Sequence, residues 1–122
     1  MSTYTATRLT PRLESHDMQA TLKFYTEILN FTCIAKFYDL SWLTLQKDDI
    51  EIMFSIPNEH RNIPKSIMSG SLYIKTNKVT ALWESLNNQC EICYPLEDFE
   101  YGMREFAIYD NNGYLLQFGQ DL

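Results

Sequence analysis

Leu9, Pro11 and Leu13 alternate with Thr10, Arg12 and Glu14, the period-two pattern of a strand that buries one face. Met18, Leu22, Tyr25 and Leu29, with Phe24 and Ile28 beside them, then repeat at helical spacing and predict a helix capped by Asp17. Three short β-like runs follow at Phe31–Tyr38, Ser41–Gln46 and Ile50–Ser55, with turns at Asp39 and at Lys47-Asp48-Asp49. The order is βαβββ. It then recurs: a strand at Ser71–Lys75, a helix carrying Val79, Leu82, Trp83 and Leu86 with Asn77 as its cap and Asn87-Asn88 at its end, and strands at Gln89–Tyr94, Glu105–Tyr109 and Tyr114–Gly119. Asp110-Asn111-Asn112-Gly113 joins the last two as a hairpin, because Asn and Gly tolerate positive φ. The pattern predicts an α+β fold of two βαβββ modules, about 8–56 and about 70–120, in one domain spanning 1–122, and their shared order suggests an old duplication.

Alternation also divides the side chains between two sheet faces. Leu9, Pro11, Leu13, Leu43, Leu45, Ile50, Ile52, Phe54, Leu72, Ile74, Leu116 and Phe118 are expected beneath the helices. The opposite face carries Thr10, Arg12, Glu14, Trp42, Thr44, Gln46, Glu51, Met53, Ser71, Tyr73, Lys75 and Gln117, a mixture of aromatic, hydroxyl, amide and charged groups. If two such sheets curl toward each other, that mixture lines a cleft of the kind that holds small molecules; a solvated face or a dimer contact would carry the same pattern.

Bulk properties narrow the field. At 122 residues the chain has the size of one domain, and 45% apolar with 21% charged residues is ordinary globular composition, ordered throughout except for the first few residues and the loop near Asn58–Ser69. The net charge of −6 disfavours nucleic acid and anionic membranes and mildly favours a cationic ligand. No apolar run approaches the ~20 residues of a membrane helix, and MSTYTATRLT lacks the apolar core of a signal peptide, so a cytoplasmic location is expected. The three cysteines then read as reduced thiols; Cys90 and Cys93 fall in a predicted strand, where an offset of three places them on opposite faces. Nucleophilic, phosphoryl-transfer and hydride-transfer signatures are missing from the sequence.

The stretches DMQATLKFYTEILNF, DDIEIMF and YGMREFAIYDNNGYLLQFG resemble the vicinal oxygen chelate superfamily, which includes glyoxalase I, extradiol dioxygenases, fosfomycin-modifying enzymes and the bleomycin resistance proteins. The resemblance covers nearly the whole chain and is most specific in the last hairpin. It implies paired βαβββ modules forming a curved mixed sheet cup, and homodimers. In metal-dependent members four ligands, commonly His or Glu, come from the first and fourth strands of each module; those slots correspond here to Thr10, Glu51, Ser71 and Gln117. Neutral Thr and Ser hydroxyls are poor ligands for Zn, Ni, Fe or Mn, and one carboxylate with one amide is too few for a tight site. His16 and His60 occupy none of the slots. The closest resemblance is to the bleomycin resistance branch, whose members sequester a cationic glycopeptide without chemistry.

The reading reached from the residues and the resemblance together is a metal-free, cofactor-free homodimer that binds a small aromatic or cationic compound through Arg12, Trp42, Glu51, Met53, Tyr73, Tyr101 and Gln117, with no catalytic residue. Trp42 and Tyr73 offer stacking surfaces, and Glu51 offers either a charge for the ligand or an ion pair with Arg12 or Lys75. Phe99, Tyr101 and Met103 are expected in a loop before the last hairpin. The rival is a divalent-metal lyase, isomerase or dioxygenase with a degenerate site at Glu51 and Gln117, and a third possibility is an interaction module whose cleft is filled by its own side chains.

Overall fold

A computed structural model describes residues 3–61 and 64–122. Of the stretches expected to lack order, residues 1–2 and 62–63 lie outside the described residues. The chain forms two compact units, Met1–Ile63 and Pro64–Leu122, each with its own four-stranded sheet.

In the first unit β1 (Arg12–Glu14) is followed by α1 (Met18–Lys23), a π-helical turn (Phe24–Ile28), β2 (Thr32–Lys36), β3 (Trp42–Lys47) and β4 (Ile50–Ser55). The sheet order is β1-β4-β3-β2, with β1 parallel to β4 and the other pairs antiparallel. Asp17 caps α1 as expected, its Oδ1 accepting from the Ala20 N–H at 3.0 Å. The single predicted helix is instead a short α segment that widens into the π turn. Thr26 Oγ1 donates back to the Leu22 carbonyl at 2.7 Å, a bond that competes with the helical ladder, and Leu29 N–H reaches Phe24 O, five residues back. Asn30 then closes the segment at φ 62°, a conformation that Asn adopts more readily than most residues.

The core of this unit is aromatic. Tyr25 and Phe54 are fully buried with ring centroids 5.1 Å apart, and Phe24 and Phe31 pack edge-on against Tyr25. Leu43, Leu45 and Ile52 complete it, as the alternation predicted. Leu9 does not: it is 91% exposed. Pairing to β4 starts near Pro11, whose carbonyl accepts from Met53 N–H; proline has no N–H to return, and the predicted strand from Leu9 begins only at Arg12.

In the second unit β5 (Leu72–Lys75), α2 (Val79–Leu86), β6 (Glu91–Phe99), β7 (Met103–Tyr109) and β8 (Leu115–Asp121) form a sheet of order β5-β8-β7-β6, again with its first strand parallel to its last. Phe106, Ile108, Leu116, Val79 and Leu86 are fully buried, and Phe106 stacks on Phe118 while Trp83 tilts against it. Two expectations are corrected here. The residue capping α2 is Lys78 rather than Asn77 and its side chain makes no capping bond; the Gln120 side chain of β8 accepts from the Val79 N–H at 3.0 Å in its place. Phe99 and Met103 are also not in a loop. β6 and β7 continue to these two residues as cross-strand partners, leaving Glu100, Tyr101 and Gly102 as the connection, with Gly102 at φ 89°.

No helix among the described residues is long and apolar enough to cross a membrane, and Cys33, Cys90 and Cys93 are all free thiols.

Candidate functional site

On the helix-free face of the first sheet, cross-strand pairing aligns Arg12 with Met53 and Thr44, and Glu14 with Ser55 and Trp42. Beyond them the chain after β4 turns over the sheet edge. It is held there by Glu14, whose Oε2 accepts from the Asn58 N–H at 3.0 Å and lies 3.8 Å from Arg61. Between this loop and the sheet lies a groove of about 780 Å³ lined by Arg12, Phe37, Trp42, Met53, Pro57, Glu59 and His60, among others. Phe37 and Trp42 form one wall, with ring centroids 5.3 Å apart. Arg12 makes no ion pair among the described residues and presents its charge at the groove. An indole, a phenyl ring, a thioether and single charges of both signs suit a flat, partly polar molecule.

Of the residues singled out in sequence, Arg12, Trp42 and Met53 meet in this groove, whereas Glu51 is not part of its lining. Its carboxylate is paired with Arg8 at 3.0 Å, not with Arg12 or Lys75 as expected. Lys75 lies 3.6 Å from Asp121 instead. Arg8 precedes the alternating strand pattern, so periodicity carries no signal for this pair.

Tyr73, Tyr101 and Gln117 belong to the second unit, around Glu105, which is not among the site residues expected from sequence. Glu105, in the middle of β7, is 1% exposed. Its Oε1 accepts from Tyr73 Oη at 2.7 Å and its Oε2 accepts from Tyr94 Oη. Gln117 Nε2 donates to Tyr94 Oη at 2.9 Å, and its Oε1 accepts from Ser71 Oγ at 2.5 Å. Gly119 makes room for this arrangement: a Cβ there would stand 2.1 Å from Tyr73 Oη. Burial pushes the Glu105 carboxyl upward, but the nearby hydroxyls of Tyr94, Tyr101 and Tyr73 outweigh it and hold the group below its ordinary range. The phenols shift the other way. Burial and the neighbouring Glu105 carboxylate push Tyr94 and Tyr101 up to about 12, and Tyr73 rises as well for the same reasons.

A signal for Glu105 was present in the sequence: a carboxylate set against the apolar run Phe106-Ala107-Ile108. Reading the strand as starting at Glu105 placed that residue at an end, where exposure is ordinary; the strand in fact starts two residues earlier.

The four slots that correspond to metal ligands in the family do not fit a transition metal here. Thr10 and Ser71 are neutral hydroxyls, Glu51 is bound to Arg8, and Gln117 has its oxygen engaged by Ser71 and its nitrogen by Tyr94. Among the described residues no three His, Cys, Asp or Glu side chains are grouped to share an ion.

No curated protein sequence matches the chain. Solved structures do resemble it. A bleomycin-binding protein in complex with bleomycin is 21% identical with a TM-score of 0.70, over 96% of this chain and 100% of that one. TioX from Micromonospora sp. ML1 is 15% identical with a TM-score of 0.77, over 96% and 100%. Lactoylglutathione lyase from Agrobacterium tumefaciens is 12% identical with a TM-score of 0.70, over 95% and 94%. At these identities the likeness establishes the α+β fold alone, and both a binding protein and an enzyme share it. Residues 12–118, which hold both βαβββ units, match a family model, and the chain therefore belongs to the Glyoxalase/Bleomycin resistance protein/Dioxygenase superfamily.

Proposed function

We propose that the chain is a metal-free binding protein, a cytoplasmic homodimer that captures a small aromatic or cationic compound and performs no chemistry on it. The observation that carries this reading is the groove of the first sheet, where Trp42 and Phe37 offer ring faces and Arg12, Glu59 and His60 supply polar anchors. The hydrogen-bonded state of Gln117 and the pairing of Glu51 support a role without metal, because the two groups best able to ligate are already satisfied. The homodimer is carried over from the family resemblance, and the free thiols are in keeping with a reducing compartment.

The test uses metal-free bleomycin and a set of planar aromatic cations as probes. Binding should raise the melting temperature by mass action and quench the fluorescence of Trp42, with Trp83→Phe retaining the quench and Trp42→Phe losing it. Sedimentation should give a dimer. Stoichiometric uptake of Mn, Fe, Ni, Co or Zn that disappears in Glu51→Ala would overturn the metal-free reading and favour the lyase or dioxygenase alternative. A complete lack of response to every probe would overturn the proposed ligand class.

A further inference from the structure

A buried carboxylate normally faces a cation, and Glu105 does not. Its hydrogen-bond partners are the neutral phenols of Tyr73 and Tyr94, and no Lys, Arg or His forms an ion pair with it among the described residues. Lys75, two residues along β5 from Tyr73, is drawn to Asp121, and Arg104 is held by both carboxylate oxygens of Asp98 at 2.7 and 3.1 Å. The cross-strand partner of Glu105 on β6 is Glu97, which adds a second negative charge. Phenol hydrogen bonds keep Glu105 ionised but leave the net charge uncancelled.

The side chains around that charge are aromatic. Tyr101 stacks on Phe99 at 5.4 Å and 14°, and Phe99 meets Tyr94 edge-on at 5.7 Å. Tyr73 and Tyr101 remain 43% and 62% exposed, so a solute reaches their rings from solvent. Ring faces carry negative quadrupole density, and a fixed anion at the hydroxyl ends of Tyr73 and Tyr94 adds to their attraction for a positive group.

We propose that this cluster is a binding site for an organic cation, an ammonium group bearing small alkyl substituents, held against the rings of Tyr73, Tyr94 and Tyr101 by the buried charge of Glu105. The site shares no residue with the groove of the first sheet. Hydroxyl-rich but neutral solutes gain nothing from the carboxylate, and anions are repelled by it.

Titration calorimetry with choline, alongside 3,3-dimethylbutan-1-ol as its uncharged isostere, tests the assignment. Choline should bind at millimolar concentrations or below, and the alcohol should bind roughly tenfold more weakly or not at all. Glu105→Gln keeps the shape and removes the charge, and should weaken choline roughly tenfold; Tyr101→Ala removes an exposed ring and should weaken it roughly threefold to tenfold. Equal affinity for the alcohol, unchanged choline binding in Glu105→Gln, or no choline binding by the unmodified protein would each overturn the site. If Glu105→Gln does not fold, Tyr101→Ala decides: unchanged binding rejects the cage, and weakened binding supports it.

Discussion

On the helix-free face of the first sheet, Arg12, Trp42 and Met53 stand around a groove; on the corresponding face of the second, Tyr73 and Tyr94 bond to Glu105 and Gln117 joins them through Tyr94 in one network. Both units have the same strand order and the same parallel pairing of first and last strands. Their helix-side cores are both built from packed aromatics and branched aliphatics, edge-on or tilted rings in the first and a stacked Phe106–Phe118 pair in the second. The difference therefore lies in the chemistry of one face, and it shows that a repeated scaffold fixes where side chains stand without fixing whether they bind each other or something else.

The equivalence of the two cores is tested by the largest expected effect. Phe54→Ala and Phe106→Ala each remove a fully buried ring beneath a helix, and each should cost about 3–5 kcal/mol in urea unfolding. A loss below about 1 kcal/mol in either would break the parallel between the units.

Next come the two carboxylates, which separate the faces most sharply. Glu105→Ala removes the acceptor of two tyrosine hydroxyls and should cost about 2–3 kcal/mol, whereas Glu51→Ala breaks a pair whose arginine is 66% exposed and should cost under about 1 kcal/mol. Gly119→Ala should follow at about 1–2 kcal/mol, because the added Cβ drives Tyr73 away from Glu105. In a Tyr73→Ala background most of that penalty should vanish; a full penalty there would place the strain elsewhere.

Titration gives the same comparison without mutation. Glu105 has a folded-state pKa below its ordinary 4.5, so between the two values the unfolded chain binds more protons; its contribution is complete above 4.5 and is lost as pH falls through the folded value. Tyr94 and Tyr101, raised from 10.0 to about 12, act in the opposite sense: their contribution is complete below 10 and is lost as pH climbs toward 12. Absorbance at the phenolate band should therefore show late-ionising tyrosines, and Glu105→Gln should bring them back toward 10. The smallest effects concern the helix starts. Asp17→Ala should cost about 1 kcal/mol and Gln120→Ala about 0.5–1 kcal/mol, read from thermal unfolding.

Periodicity made the order of elements, the fold class and most of the core legible, because strands and helices repeat their apolar positions at different intervals. Ile50–Ser55 coincides with its predicted range, and Val79, Leu82, Trp83 and Leu86 all fall on α2. What escaped was set by partners far along the chain. Leu9 lost its strand for want of ladder bonds ahead of Pro11, the cap of α2 came from Gln120 on another element, and β6 ran on to Phe99 because β7 lay alongside to pair with it. The candidate site follows the same division. Trp42, Met53 and Arg12 could be placed on a shared face by alternation, while the association of Tyr73, Tyr94 and Gln117 around Glu105 required knowing which strands are neighbours.

The turn at the tip of the last hairpin bears on how quickly the second sheet assembles. Asp110 Oδ1 accepts from the backbone N–H groups of Asn112 and Tyr114 at 2.8 and 2.9 Å, Gly113 takes φ 89°, and Asp110 N–H bonds the Tyr114 carbonyl. Only a few residues need to close for β7 to meet β8, whereas β5 must cross more than forty positions to reach Leu116, its partner opposite Leu72. Loop closure makes the first event fast and the second slow. Folding of this unit is then expected to proceed from the hairpin outward, with the parallel strand docking last, so that Asp110→Ala slows refolding while changes in β5 mainly hasten unfolding.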